Sequence, residues 1–125
     1  MQKRSSTKPM ATGRGLKQNL SHALEEYFAE RMGGHRAMDV KIIDDLILLR
    51  CKEALSVSEV NLSTLKAGRL LLQEVSEKLC YELQPDLARL LYRITGLRLV
   101  DVCVGLFLQR REKIYLLTMS DRVKQ

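Results

Sequence analysis

Two adjacent aspartates, Asp44 and Asp45, interrupt an apolar run, VKIIDDLILLR, between Val40 and Arg50. Paired carboxylates can hold a cation or exchange a proton, but both uses need further ligands close by. No histidine or third acid adjoins them. Aspartate also tolerates the positive-φ conformations of a two-residue hairpin turn, which the flanking Ile and Leu do not. The pair is therefore read as a chain reversal, with metal ligation as the less favoured use.

The other groupings with chemical potential are sparser. His22 with Glu25 and Glu26 puts an imidazole and two carboxylates within one helical turn, a spacing that supports metal binding or proton transfer only with a second ligand cluster. Without one it reads as a solvated helix face. His35 follows Gly33 and Gly34 and reads as an exposed loop histidine. Arg110, Arg111 and Lys113 cluster at an expected hairpin tip where phosphates could be touched, yet with 5% aromatic residues there is no stacking platform for single strands. Such a tip is also a usual way of discouraging edge association. Cys51, Cys80 and Cys103 are odd in number, far apart and without a C-x-x-C pair, which marks core thiols rather than a disulfide framework or zinc knuckle. No phosphate loop, nucleophile elbow, zinc motif or dinucleotide fingerprint occurs. No catalytic, metal or cofactor residue is assigned, and a non-enzymatic protein is expected.

The elements that carry these residues follow from hydrophobic period. Leu16, Leu20, Leu24, Tyr27, Phe28 and Arg31 recur at three- and four-residue steps, giving a helix from Leu16 to Met32 that Gly33 and Gly34 can cap. A turn at Asp44 and Asp45 then pairs Ile43 with Leu46, Ile42 with Ile47, Val40 with Leu49 and Asp39 with Arg50, an acid meeting a base. Ser56-Val57-Ser58-Glu59 has the form of a capping box and starts a helix; Gly68 breaks or kinks it. A stripe of Leu72, Val75, Leu79 and Leu83 runs on to Gln84, and Pro85 begins another helix that Gly96 ends. From Leu99 to Leu108 the pattern alternates, with Val100, Val102, Val104 and Leu106 on one side, and after a turn at Gln109–Glu112 the residues Tyr115, Leu117 and Met119 meet that set.

The expected architecture is α+β, in the order α-ββ-αα-ββ, with a four-stranded antiparallel sheet made of two hairpins and helices on one face. The other face would carry Ile43, Leu46, Leu48, Leu99, Phe107, Ile114 and Leu116. Uncovered, seven large apolar side chains exceed what soluble monomers usually expose. A homodimer is expected to bury them, unless a β-bulge at Gly105 inverts half of the second hairpin.

Composition places the charge outside this unit. Five of the six net positive charges lie in residues 1–17, in Lys3, Arg4, Lys8, Arg14 and Lys17, which leaves +1 for the rest. Residues 1–15 lack apolar periodicity and are expected to be a disordered basic tail, residues 16–121 the domain and residues 122–125 a short C-terminal tail. The basic tail supports an alternative role, binding nucleic acid or an anionic surface, which is not favoured. No secretory signal or stretch of about 20 apolar residues is found, so a cytoplasmic protein is expected, with a position peripheral to the membrane as its variant.

The order VKIIDDLILLR, LSVSE, AGR at Ala67–Arg69, LQPDLARLLYRITGLRLVDV and a final apolar hairpin resembles the MpsC-like family, the small bacterial component named for a sodium-translocating, membrane-potential-generating system. The positions that fall in family order are Asp44, Asp45, Glu59, Gly68, Arg69 and Gly96, with Ile94-Thr95 before the last. The chain differs from the family's usual pattern at Gly33-Gly34-His35-Arg36 and within Ser56–Glu59. The resemblance implies a link to sodium or bicarbonate transport, with membrane-spanning subunits supplied by other proteins.

Overall fold

The computed structural model describes residues 13–32 and 37–124. The cap expected of Gly33 and Gly34, His35, and most of the basic tail lie outside these residues. The elements are α1 (Gly13–Met32), β1 (Ala37–Ile43), β2 (Leu46–Lys52), α2 (Val57–Leu62), α3 (Lys66–Thr95), β3 (Leu99–Phe107), a 3-10 turn (Leu108–Arg110) and β4 (Glu112–Met119). The strands form one antiparallel sheet in the order β1-β2-β4-β3. The α+β architecture and the α-ββ-αα-ββ order are those expected from the hydrophobic pattern.

Helices α1 and α3 cover one face of the sheet. Leu20, Leu24 and Phe28 of α1 and Cys80, Leu87 and Leu91 of α3 pack onto Val40, Ile47, Leu49, Tyr115 and Leu117. Burying each large side chain contributes roughly 1.5–3 kcal/mol. The Phe28 and Tyr115 rings lie 5.0 Å apart at the centre, and Arg31 stacks over Tyr27 while pairing with Asp86 of α3 at 2.8 Å. Helix α1 begins three residues before the expected Leu16, inside the segment assigned to the tail. At the other end Val123 is buried, its N–H bonded to the Asp44 carbonyl at 2.8 Å, so the expected C-terminal tail is docked.

The first hairpin has the expected register at every pair, Ile43 with Leu46 through Asp39 with Arg50. The second departs at its start: the irregularity falls between Leu99 and Asp101, and Gly105 pairs regularly with Ile114. The extra residue turns Leu99 inward beside Met119 and leaves Val100 exposed, the reverse of the expected sides. The turn also sits one residue earlier, with Arg111 in the left-handed region at φ 57 and Glu112 already in β4.

The helical half differs more. The break falls at residues 63–65 instead of Gly68, and α3 runs unbroken through Pro85 for 30 residues, about 45 Å. Pro85 forfeits one helical hydrogen bond, but Leu87 and Leu91 beyond it are almost wholly buried, which holds the helix straight on to the Gly96 cap. The buried stripe of its first half is Gly68, Leu72, Ser76 and Cys80 at four-residue steps, with Gly68 against α2 and Cys80 in the core under the sheet. Val75 and Leu79, expected in the core, lie 45% and 40% exposed on the flank.

Candidate protein-interaction surface

The residues that match in family order are not gathered into one site. They stand at the corners of the fold. Asp44, at φ 55, is the left-handed member of the β1–β2 turn; its carboxylate lies 3.6 Å from Arg122 Nε, and the carbonyls of Asp44 and Asp45 accept the N–H groups of Val123 and Met119. Glu59 closes a capping box with Ser56: each side chain accepts the other's backbone N–H, at 2.8 and 3.1 Å. Gly68 lies directly under the end of α2, where an added Cβ would be 2.8 Å from the Leu62 carbonyl carbon and closer still to its oxygen. Next to it, Arg69 donates to the Ser63 carbonyl at 2.9 Å, meeting an acceptor that α2 leaves unsatisfied at its C-terminal end. Gly96, at φ 76, donates to the Tyr92 carbonyl and ends α3.

The basic trio at the second hairpin is likewise separated. Arg111 is drawn into the fold, its carbonyl accepting from Ala54 and Leu55 and its guanidinium donating to the Leu55 carbonyl at 2.9 Å. Lys113 points inward and is buried, whereas Arg110 and Arg111 both stay exposed at the tip, Arg111 tied down by its bond to Leu55. His22 and Glu26 approach to 3.5 Å with both side chains more than three-quarters exposed, a solvated pair.

Cys51 and Cys80 are interior thiols that burial pushes up to about 12 and about 11. Cys103 is exposed, and its thiol lies 3.6 Å from the Asp101 carboxylate in a shallow cleft of about 340 Å³ between α3 and the outer edge of β3. Partial desolvation and the negative charge of Asp101 both raise its pKa, so this thiol is held protonated, the opposite of an activated nucleophile. Among the described residues no group of three His, Cys, Asp or Glu side chains could hold a metal ion.

What the fold does assemble is the sheet face opposite the helices. Three rows cross it from β1 to β3: Ile43, Leu46, Thr118, Asp101; Lys41, Leu48, Leu116, Cys103; and Asp39, Arg50, Ile114, Gly105; beyond them, at the far end, Ala37 pairs with Lys52 and Glu112 with Phe107. Leu46, Leu48, Ile114 and Leu116 make an apolar centre, flanked by Ile43 and Phe107, which are 55% and 49% exposed. Sequence pattern anticipated six of these residues; Leu99 is not on this face because of the irregularity beside it.

The polar border is internally ordered. Arg50 and Glu112 form a two-pronged ion pair at 3.0 and 3.1 Å, and Lys52 takes Asp39 at 3.3 Å, so the expected cross-strand partners Asp39 and Arg50 each pair with another residue. The Arg50 hydrogen bonds hold the Glu112 carboxyl below the usual range. The stabilisation from that depressed pKa is present above the pKa of the unfolded chain and is lost as pH falls through the folded value.

With this geometry in hand, a family model described as Na+-translocating membrane potential-generating system (MpsC) matches residues 12–121. The chain belongs to the MpsC family. No curated protein and no solved structure is significantly similar to it. Among the described residues of this MpsC chain no helix is long and apolar enough to cross a membrane.

Proposed function

We propose that this protein is a non-enzymatic accessory or regulatory module of a sodium-translocating, membrane-potential-generating system, acting through protein contacts as a homo-oligomer. The observation that carries the reading is the family match over residues 12–121. Two structural features support it. The family-ordered residues stand at corners and caps of the fold, an arrangement that favours a structural use for them. The surface that remains is an apolar sheet face with a charged border, the anatomy of a protein contact. Movement of sodium or bicarbonate then belongs to membrane-spanning partners, whose activity this chain supports.

The test is physiological. Deleting the gene should lower the membrane potential read by a voltage-sensitive dye, with the defect growing as external sodium is raised, and the gene supplied in trans should restore it. Equal potentials in the deletion and parent strains at every sodium concentration would remove the transport link.

A further inference from the structure

The open face of the sheet carries opposite charges on its two edge strands. Lys41 on β1 and Asp101 on β3 stand at opposite sides of the face, and neither has an ion-pair partner among the described residues, although Asp101 accepts from the Cys103 thiol. Between them lie Leu48 and Leu116, directly paired across β2 and β4. The face thus has an apolar middle, a cation on one side and an anion on the other.

We propose that this face binds a second copy of the same chain, sheet against sheet. A two-fold axis running along the strands between β2 and β4 lays β1 of one protomer over β3 of the other and β2 over β4. Leu48 then meets the partner's Leu116, Phe107 meets the partner's Ala37, and Lys41 comes to lie over the partner's Cys103, one side-chain step from the partner's Asp101. Residues two apart on a strand are separated by about 6.6 Å, within reach of a lysine side chain. Each contact occurs twice by symmetry, so the two unpaired charges of one chain are matched by the two of the other. A neutral apolar partner would leave both charges facing a surface unable to match them.

Area sets the expected strength. Four strands at about 4.8 Å spacing and seven residues at about 3.3 Å give a face on the order of 450 Å². Two such faces bury roughly 900 Å², near the lower limit of about 1,000 Å² for specific interfaces. The dimer should therefore dissociate in the micromolar range instead of being obligate. This inference deepens the protein-contact reading above without depending on the transport link, since solution mass tests one and membrane potential the other.

The experiment is sedimentation equilibrium of the full chain from about 1 to 200 µM, with circular dichroism melting curves to show that each variant folds. Wild type should pass from monomer to dimer across this range. Leu48→Lys should weaken association at least tenfold. Lys41→Asp and Asp101→Lys should each weaken it several-fold, and the double variant should recover most of the loss, a rescue that damage to the fold would not produce. A monomer at every concentration would overturn the proposal. So would a dimer indifferent to Leu48→Lys but broken by Val75→Lys, which would place the second copy on the exposed flank of α3. A dimer broken by Leu48→Lys but not rescued by the charge exchange would overturn the strand-parallel arrangement.

Discussion

At the α2–α3 corner the backbone of Leu62 occupies the place where a side chain at position 68 would go, whereas at the β1–β2 corner the Asp44 side chain is 73% exposed and only its backbone is constrained. Gly68 is not in the left-handed region; it is needed for the absence of an atom. Asp44 is in that region, with no atom near enough to exclude a side chain, and is needed for a dihedral that several residues can adopt. Two positions that look alike as family-ordered residues at chain reversals thus carry different constraints. One is set by contact and should tolerate nothing larger, and the other is set by conformation and should tolerate Asn and Gly.

The sharpest break of this comparison is Gly68→Ala. Helix propensity alone would make alanine stabilising here, by roughly 0.5–1 kcal/mol. The overlap with the Leu62 carbonyl has the opposite sign, because backbone cannot move aside as a flexible side chain can, and overpacking of this kind costs typically 1–3 kcal/mol. The expected net result is destabilisation by about 2 kcal/mol, a melting temperature lower by on the order of 8–10 °C for a domain of this size. A variant as stable as the parent would show that α2 slides off α3 at little cost, and the contact reading of Gly68 would fail.

Arg69→Ala comes next. It removes a charge-assisted hydrogen bond to the Ser63 carbonyl at the same corner, and solvent lies close enough to replace part of it. A loss of about 1 kcal/mol in a urea unfolding midpoint is expected. Gly96→Ala should cost a similar amount for a different reason, since φ 76 is strained for alanine while nothing lies within 4 Å of the added methyl. The pair separates the two mechanisms: Gly96→Asn should recover part of the loss at position 96, because Asn tolerates the left-handed cap, whereas Gly68→Asn should be worse than Gly68→Ala.

The same distinction explains what could be read from the sequence. The first hairpin was legible pair by pair because a two-residue turn fixes register by itself, and alternating apolar residues then name the buried face. The second was legible only beyond Asp101: the irregularity at Val100 occurs where β3 enters the sheet as an edge strand, and nothing in LRLVDV marks an extra residue. The helical corner was misplaced because glycine was taken as a helix breaker, whereas Gly68 sits inside α3 and serves the approach of α2 from outside it, a contact invisible to local pattern. Val75 and Leu79 were assigned inward for the same reason, since three- and four-residue steps fit two adjacent stripes until the position of the sheet chooses between them. The apolar sheet face, by contrast, follows from hairpin register and was largely foreseen; its ion pairing was not, because Arg50 chooses between Asp39 and Glu112 only once β2 and β4 are neighbours.

The smallest effect tests the conformational corner from within. Asp44 carries a positive φ and its neighbour Asp45 does not, so the two aspartates should respond differently to glycine. At position 44 glycine relieves the left-handed strain, worth several tenths of a kcal/mol, but adds a similar cost in unfolded-chain freedom, while the exposed carboxylate it removes, 3.6 Å from Arg122, contributes little in water. These terms nearly cancel, and Asp44→Gly should leave stability within about 0.5 kcal/mol of the parent. At position 45 there is no strain to relieve, and the added freedom of the unfolded chain should cost about 0.5–1 kcal/mol. The backbone carbonyls that hold Val123 and Met119 persist in both variants, so docking of the C-terminal segment does not confuse the comparison. Parallel urea titrations of the two variants decide it. Equal losses at both positions would mean that the carboxylates, and not the dihedral, hold this turn, and a melting temperature raised by divalent cations in the parent but not in Asp44→Asn would restore the ligand reading of the pair.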